Sequence, residues 1–381
     1  MGLAYNSTLF AGVLGIGYDL NEASNNPDFE QNPFVYPSII DRMVSQGLVS
    51  TKAYSLYLDD LQASTGSIIF GGIDSDKYHG NLLQIPVVPD TLENGTKVYA
   101  DFTVALTSFS LTGQAGNTTS LTQGQYDAPV ILDSGTTLTY VPQRLATVIY
   151  DELNAVDDTE NSGLVFVDCN VLISAPKTTF NFGFGGSNGV AIQVPVDELV
   201  FPLSGLFSMD GYAPPDLPFS SACALGINGQ GEEPYILGDT FLRSAYVVYD
   251  LKNNLIAMAQ TNFNSTTSNI VDFTANATAI PNVSGVASSV AVTETATGGL
   301  PVGGDGGHTA TNGGTSKSTG LGQTSSGPVA TGTVSSTSST RTGSSSKSAA
   351  AGSVPAFDAT ALMVFGLSSA FAVLGASWSL A

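Results

Sequence analysis

Cysteine, histidine, tryptophan and positive charge are all scarce in this chain. Its 381 residues include two Cys, two His, one Trp and 11 Lys plus Arg against 32 Asp plus Glu, a formal net charge of −21. A surface this acidic repels a phosphate backbone, which excludes nucleic-acid binding. A structural zinc site takes four clustered ligands. Cys169 and Cys223 stand 54 residues apart with only His79 and His308 to join them, so no metal or cofactor is expected. The opening residues Met1-Gly2-Leu3-Ala4-Tyr5-Asn6 carry neither the basic nor the apolar region of a signal peptide. Asn6 also stands where a myristoylation signal needs Ser or Thr. The acidic surplus serves solubility or adaptation to acid, where protonated carboxylates repel one another less.

What is present divides the chain unevenly. Residues 1–263 hold nearly all the aromatic residues, both cysteines and most of the charge, enough to bury a core. From Tyr54 to Phe263 the texture is β, with Tyr99, Phe102, Val104 and Leu106 in near-alternation and Gly-, Asn- and Asp-rich turns recurring. Two helices are predicted: Ser38 to Gln46, stopping at Gly47, and Gln143 to Leu153, with Leu145, Val148, Ile149 and Leu153 at helical spacing. After Phe263 the apolar pattern vanishes. Residues 264–350, with runs such as Ser335-Ser336-Thr337-Ser338-Ser339-Thr340, read as a disordered Ser/Thr/Gly-rich stalk that cannot bury a core.

Residues 359–381 turn apolar again, about the length of a membrane span. No Lys or Arg follows, and the small residues Ser348, Ala349, Ala350 and Gly352 precede it at the spacing of a GPI attachment site. A retained helix would carry basic residues to fix its orientation, so 351–381 is read as a GPI signal. Asn6, Asn94, Asn117, Asn264, Asn276 and Asn282 each begin an Asn-x-Ser/Thr sequon. Six such sequons favour the secretory pathway and the cell surface, and in that compartment a single disulfide is the better account of the two cysteines.

The stretch with chemical content is Ala128-Pro129-Val130-Ile131-Leu132-Asp133-Ser134-Gly135-Thr136-Thr137. An apolar run delivers an acid into a tight turn of hydroxyls and Gly. Asp-Ser-Gly alone is a common turn that mostly holds its own backbone; the apolar lead-in and the double Thr sharpen it. A carboxylate held by hydroxyls and a Gly N–H suits acid–base work on a peptide bond. Downstream lie Tyr235-Ile236-Leu237-Gly238-Asp239-Thr240-Phe241-Leu242-Arg243 and Tyr246-Val247-Val248-Tyr249-Asp250.

Together these motifs resemble the second lobe of the pepsin-like aspartic proteases, and the tail gives the chain the look of the fungal yapsin-type, GPI-anchored members. Gly66 to Asp74 looks like the strand that crosses between the lobes, and Val13-Leu14-Gly15-Ile16-Gly17 echoes Ile236-Leu237-Gly238. The resemblance implies a mainly β, bilobal fold. It divides the chain into a first-lobe remnant and interlobe strand at 1–74, a second lobe at 75–263, the stalk at 264–350 and the tail at 351–381. It further implies a Cys169–Cys223 disulfide, polypeptide substrates, a monomer, and Asp133 as a catalytic residue supported by Ser134, Gly135 and Thr136.

In that family two carboxylates share a proton and hold the attacking water, and they titrate as a pair. This chain contains no second Asp-Thr/Ser-Gly, and only eleven residues precede Gly12. The expectation is therefore an incomplete first lobe, with Asp133 lacking a like-charged partner and the chain inactive as it stands. The alternatives are a non-catalytic, GPI-anchored surface glycoprotein that keeps a degenerate protease fold, or an adhesin or wall spacer built around its stalk.

Overall fold

Phe109, Phe180, Phe182, Phe184 and Phe241 are all fully buried and meet in one cluster, with Phe109–Phe182 and Phe182–Phe241 ring centroids 4.7 and 5.0 Å apart. They come from the strands Thr103–Thr112 and Thr179–Phe184 and from the short helix Asp239–Leu242, and edge-on aromatic packing of this kind adds to their area burial. The computed structural model describes residues 13–25, 34–92, 94–203, 216–274, 280–281 and 283–286. Among these the architecture is mainly β, as expected.

Two large sheets organise it. One has six strands in the order Ser67–Phe70, Ala53–Tyr57, Ala245–Asp250, Leu255–Thr261, Tyr78–Pro86, Val283–Val286. Ala53 opposes Asp250 and Leu56 opposes Val247 in its antiparallel centre, and Ser67–Phe70, from the segment expected as an interlobe strand, joins the sheet beside Ala53–Tyr57, Phe70 opposing Tyr54. The other sheet runs Val190–Pro195, Thr179–Phe184, Thr103–Thr112, Ala128–Leu132, Tyr235–Leu237, Thr139–Pro142, Ile227–Gln230. Tyr249 joins the two: its ring stacks on Tyr54 at 4.8 Å and meets Phe102 edge-on at 4.6 Å.

Both predicted helices form. Ile39–Ser45 is closed by a capping box between Ser38 and Asp41, and Gly47 follows at φ 71°, the left-handed conformation that costs glycine least. Gln143–Leu153 buries Leu145, Ala146, Ile149 and Tyr150 and ends on Asn154 at φ 49°. Val13 and Leu14 stay exposed, while Ile16 packs against the core.

One expectation is corrected. The stalk was expected from residue 264, yet the fold continues past it. Ile270–Asp272 pairs with Gly72–Asp74, and Phe273 and Ile280 are buried. Their apolar residues are too widely spaced to make a period; the packing of Phe273 and Ile280 against Ile73, Tyr78 and Tyr246 holds the segment together with long-range hydrogen bonds. Asp74, 2% exposed, accepts from Ser268 Oγ at 2.6 Å and from Asn269 N–H at 2.8 Å. The rest of the expected stalk, the lipid-attachment candidates Ser348, Ala349, Ala350 and Gly352, and the apolar tail lie outside the described residues.

Candidate active site

Ala128, Val130 and Leu132 alternate inward along the strand Ala128–Leu132. The strand is flanked by Thr103–Thr112, antiparallel, and Tyr235–Leu237, parallel. With neighbours on both sides a slip of one residue would turn the apolar face outward, so the register that presents Asp133 is fixed. There the chain leaves the ladder. Asp133 N–H donates to Leu237 O at 3.2 Å, and Thr136 N–H donates to Asp133 O at 3.3 Å, closing a turn.

Both carboxylate oxygens of Asp133 are held. Gly135 N–H donates to Oδ1 at 2.8 Å, and Thr136 Oγ1 donates to Oδ2 at 2.6 Å. Thr136 is itself 2% exposed. Ser134, expected as a third support, is exposed and makes no hydrogen bond to Asp133 among the described residues. The turn folds the N–H two residues on and the hydroxyl three residues on back toward the acid, and it leaves the intervening side chain facing water.

The Ile-Leu-Gly segment braces this turn from behind. Asp239 N–H donates to Thr136 O at 2.8 Å, and Thr240 N–H donates to Thr137 O at 3.1 Å. The Thr139 and Thr240 hydroxyls are 2.9 Å apart, and Thr240 Oγ1 also donates to Gly226 O at 3.0 Å. Gly238 is required here by proximity, since a Cβ on it would lie 2.2 Å from Thr136 O and 2.4 Å from Leu138 O.

The charge of Asp133 acts on two neighbouring acids. Asp239 is pushed up to about 7 by burial, with Arg243 pulling it down and the charge of Asp133 pushing it further up. Asp101 is pushed up to about 6, first by burial and then by Asp90 and Asp133. Tyr249, fully buried beside them, has a hydroxyl with no hydrogen-bond partner among the described residues, and its titration is driven upward by burial and then by Asp133 and Asp239. Asp239 was visible in the Ile-Leu-Gly-Asp motif. Asp101 carries no motif; only strand pairing, with Leu132 N–H donating to Phe102 O at 3.2 Å, brings it near.

Cys169 and Cys223 are bonded, with Cα atoms 5.0 Å apart. They fasten the end of the strand Leu164–Asp168 to its partner Ala222–Leu225, where Cys169 N–H donates to Ser221 O at 3.0 Å. Of the sequons, Asn94, Asn117 and Asn264 fall within the described residues and are exposed; Asn6, Asn276 and Asn282 do not. Among the described residues there is no cluster of three metal-ligating side chains, and no helix is long and apolar enough to cross a membrane.

The fold is that of the pepsin-like aspartic proteinases. A crystal structure of aspartic proteinase from Irpex lacteus superposes with a TM-score of 0.51 and 23% identity, over 71% of this chain and 74% of that one. At the level of sequence the family is defined as well: the pattern of the eukaryotic aspartyl proteases matches residues 2–261, and the chain belongs to that family. It is 38% identical over 76% of its length to a probable aspartic-type endopeptidase opsB of Aspergillus oryzae, and 36% identical over 69% to secreted aspartic protease 3 of Candida albicans. In each case the match covers 55% of the relative, so the chain spans about half the length of the curated relatives it matches.

Proposed function

We propose that this chain is part of an aspartic-type endopeptidase in which Asp133 is one of two carboxylates that hydrolyse a peptide bond. The observation that carries the reading is the held carboxylate itself, at the end of a buried strand inside the stretch that matches the family. Gly135 and Thr136 fix its two oxygens, so that a water bound against it faces the scissile carbonyl in one orientation. Hydrolysis takes a base to draw a proton from that water and an acid to protonate the leaving amine. One carboxylate in one protonation state does one of these. The partner would come from an Asp-Thr/Ser-Gly turn outside these 381 residues. The substrates are polypeptides, and the working range is acidic, where the pair holds a single proton.

The same reading places the protein in the secretory pathway as a monomeric glycoprotein held at the cell surface by a GPI anchor added near Ser348 to Gly352. One relative is a secreted aspartic protease, and the disulfide suits an oxidising compartment. Release from membranes by phosphatidylinositol-specific phospholipase, with Trp378 missing from the mature protein, is the expected result; a mature chain that retains Trp378 refutes the anchor.

A second reading, a non-catalytic surface glycoprotein, is favoured by the single Asp-Ser-Gly turn. One experiment separates the two. The reading frame extended upstream is expressed and assayed on denatured haemoglobin at acidic pH, with and without pepstatin. Pepstatin-sensitive cleavage abolished by Asp133→Ala is expected; a folded, extended protein that cleaves nothing favours the second reading.

A further inference from the structure

The described sequons stand in different surroundings. Asn94 caps the tip of the hairpin made by Asp90–Thr91 and Lys97–Val98. Its Oδ1 accepts from Thr96 N–H at 2.9 Å, an Asx turn that fixes the amide, and its Nδ2 hydrogens make no hydrogen bond among the described residues. Asn117 lies at the tip of the hairpin made by Thr103–Thr112 and Thr118–Ser120. Its backbone oxygen closes that tip by accepting from Gly113 N–H at 2.9 Å, and its side-chain amide makes no hydrogen bond among the described residues. The third sequon residues, Thr96 and Thr119, are exposed like the asparagines.

Asn264 differs. It has φ 56°, its N–H donates to Asp59 Oδ1 at 2.7 Å, and its Nδ2 donates to Asp60 Oδ2 at 2.5 Å. The next residue is also tied, Ser265 Oγ donating to Asp76 O at 2.9 Å. Here the side-chain amide belongs to the fold, pinning the segment that leaves the six-stranded sheet.

We infer that Asn94 and Asn117 carry N-linked glycans and that Asn264 keeps its free amide. In the transfer Nδ2 attacks the anomeric carbon of an oligosaccharide linked to a polyprenyl diphosphate. A C–N bond forms, the C–O bond to phosphate breaks, the amide gives up one proton, and the polyprenyl diphosphate departs. A sugar on either hairpin tip extends into water without displacing any protein contact. A sugar on Asn264 would replace a hydrogen of an amide that already holds Asp60 and would crowd that contact.

The inference rests on the secretory reading above, and the test keeps the two apart. The full-length protein, recovered from the surface or medium of a fungal host, is digested and deglycosylated by an amidase in heavy-oxygen water. Heavy-oxygen Asp is expected at positions 94 and 117 in more than half of the molecules, with position 264 unlabelled. Thr96→Val and Thr119→Val should each remove one glycan from the intact mass while leaving every asparagine in place. A surface-delivered protein with either tip unmodified, or with Asn264 labelled, overturns the inference alone. A chain that never enters the pathway overturns it together with the secretory reading.

Discussion

Among the carboxyls of the described residues, Asp239 departs furthest from its ordinary chemistry. Its carboxyl is pushed up to about 7, chiefly by burial, against an ordinary value near 3.8. A carboxyl raised in the folded state leaves stability fully present below about pH 3.8 and lost as pH rises through about 7. The raised value lets Asp239 stay neutral through most of the acidic range, and its N–H still holds Thr136 O. Asp239→Asn is isosteric and cannot ionise. The midpoint of unfolding of the variant should therefore fall less between pH 4 and pH 7 than that of the parent, a difference on the order of a few kcal/mol. Parallel curves across that range would show that the burial of Asp239 is not what couples this fold to pH.

The turn bearing Asp133 is braced by a second element. The strand Tyr235–Leu237 runs parallel to Ala128–Leu132, and the chain then reverses at Gly238 so that Asp239 and Thr240 reach the turn carbonyls. No side chain fits at Gly238, because the nearest obstacles are backbone oxygens at 2.2 and 2.4 Å. Gly238→Ala should cost more than about 3 kcal/mol, since relief requires the whole brace to move. Gly231→Ala, with nothing within 4 Å of its Cβ position, is the control and should be near neutral. Denaturant titration of the two variants measures the contrast; equal stabilities would mean that the brace yields and does not set the geometry of the Asp133 turn.

For the molecule as a whole, one held carboxylate in a family that works with two makes a definite expectation. The 381 residues alone, folded and monomeric, should show no pepstatin-sensitive cleavage of denatured haemoglobin at any pH, because base and acid cannot both be supplied by Asp133. One arrangement would defeat this: two copies pairing their Asp133 residues about a two-fold axis. Activity that rises with the square of protein concentration and vanishes in Asp133→Ala would reveal it. The exposed Val13 and Leu14 also make this form less soluble than its charge of −21 alone would suggest. Static light scattering over a concentration series reports both effects.

Local patterns in the sequence determined a good deal. The period of Leu145, Val148, Ile149 and Leu153 defined a helix, Gly47 ended another, and the apolar run before Asp133 announced a buried strand delivering an acid. Ordered motifs then carried the resemblance to a family, because Asp-Ser-Gly-Thr-Thr and Ile-Leu-Gly-Asp are contiguous and their spacing is visible along the chain. Three things were decided only by the tertiary structure. Asp101 came near Asp133 through strand pairing, which no local period encodes. Ser134 turned to water while Thr136 folded back, a matter of turn geometry and not of composition. The segment after Phe263 stayed in the fold because Asp59, Asp60 and Asp74, some two hundred residues earlier, accept its hydrogen bonds. An aperiodic stretch is legible as structure only when its distant partners are in place, since the free energy that orders it lies in those long-range bonds and in the burial of Phe273 and Ile280 against residues far upstream.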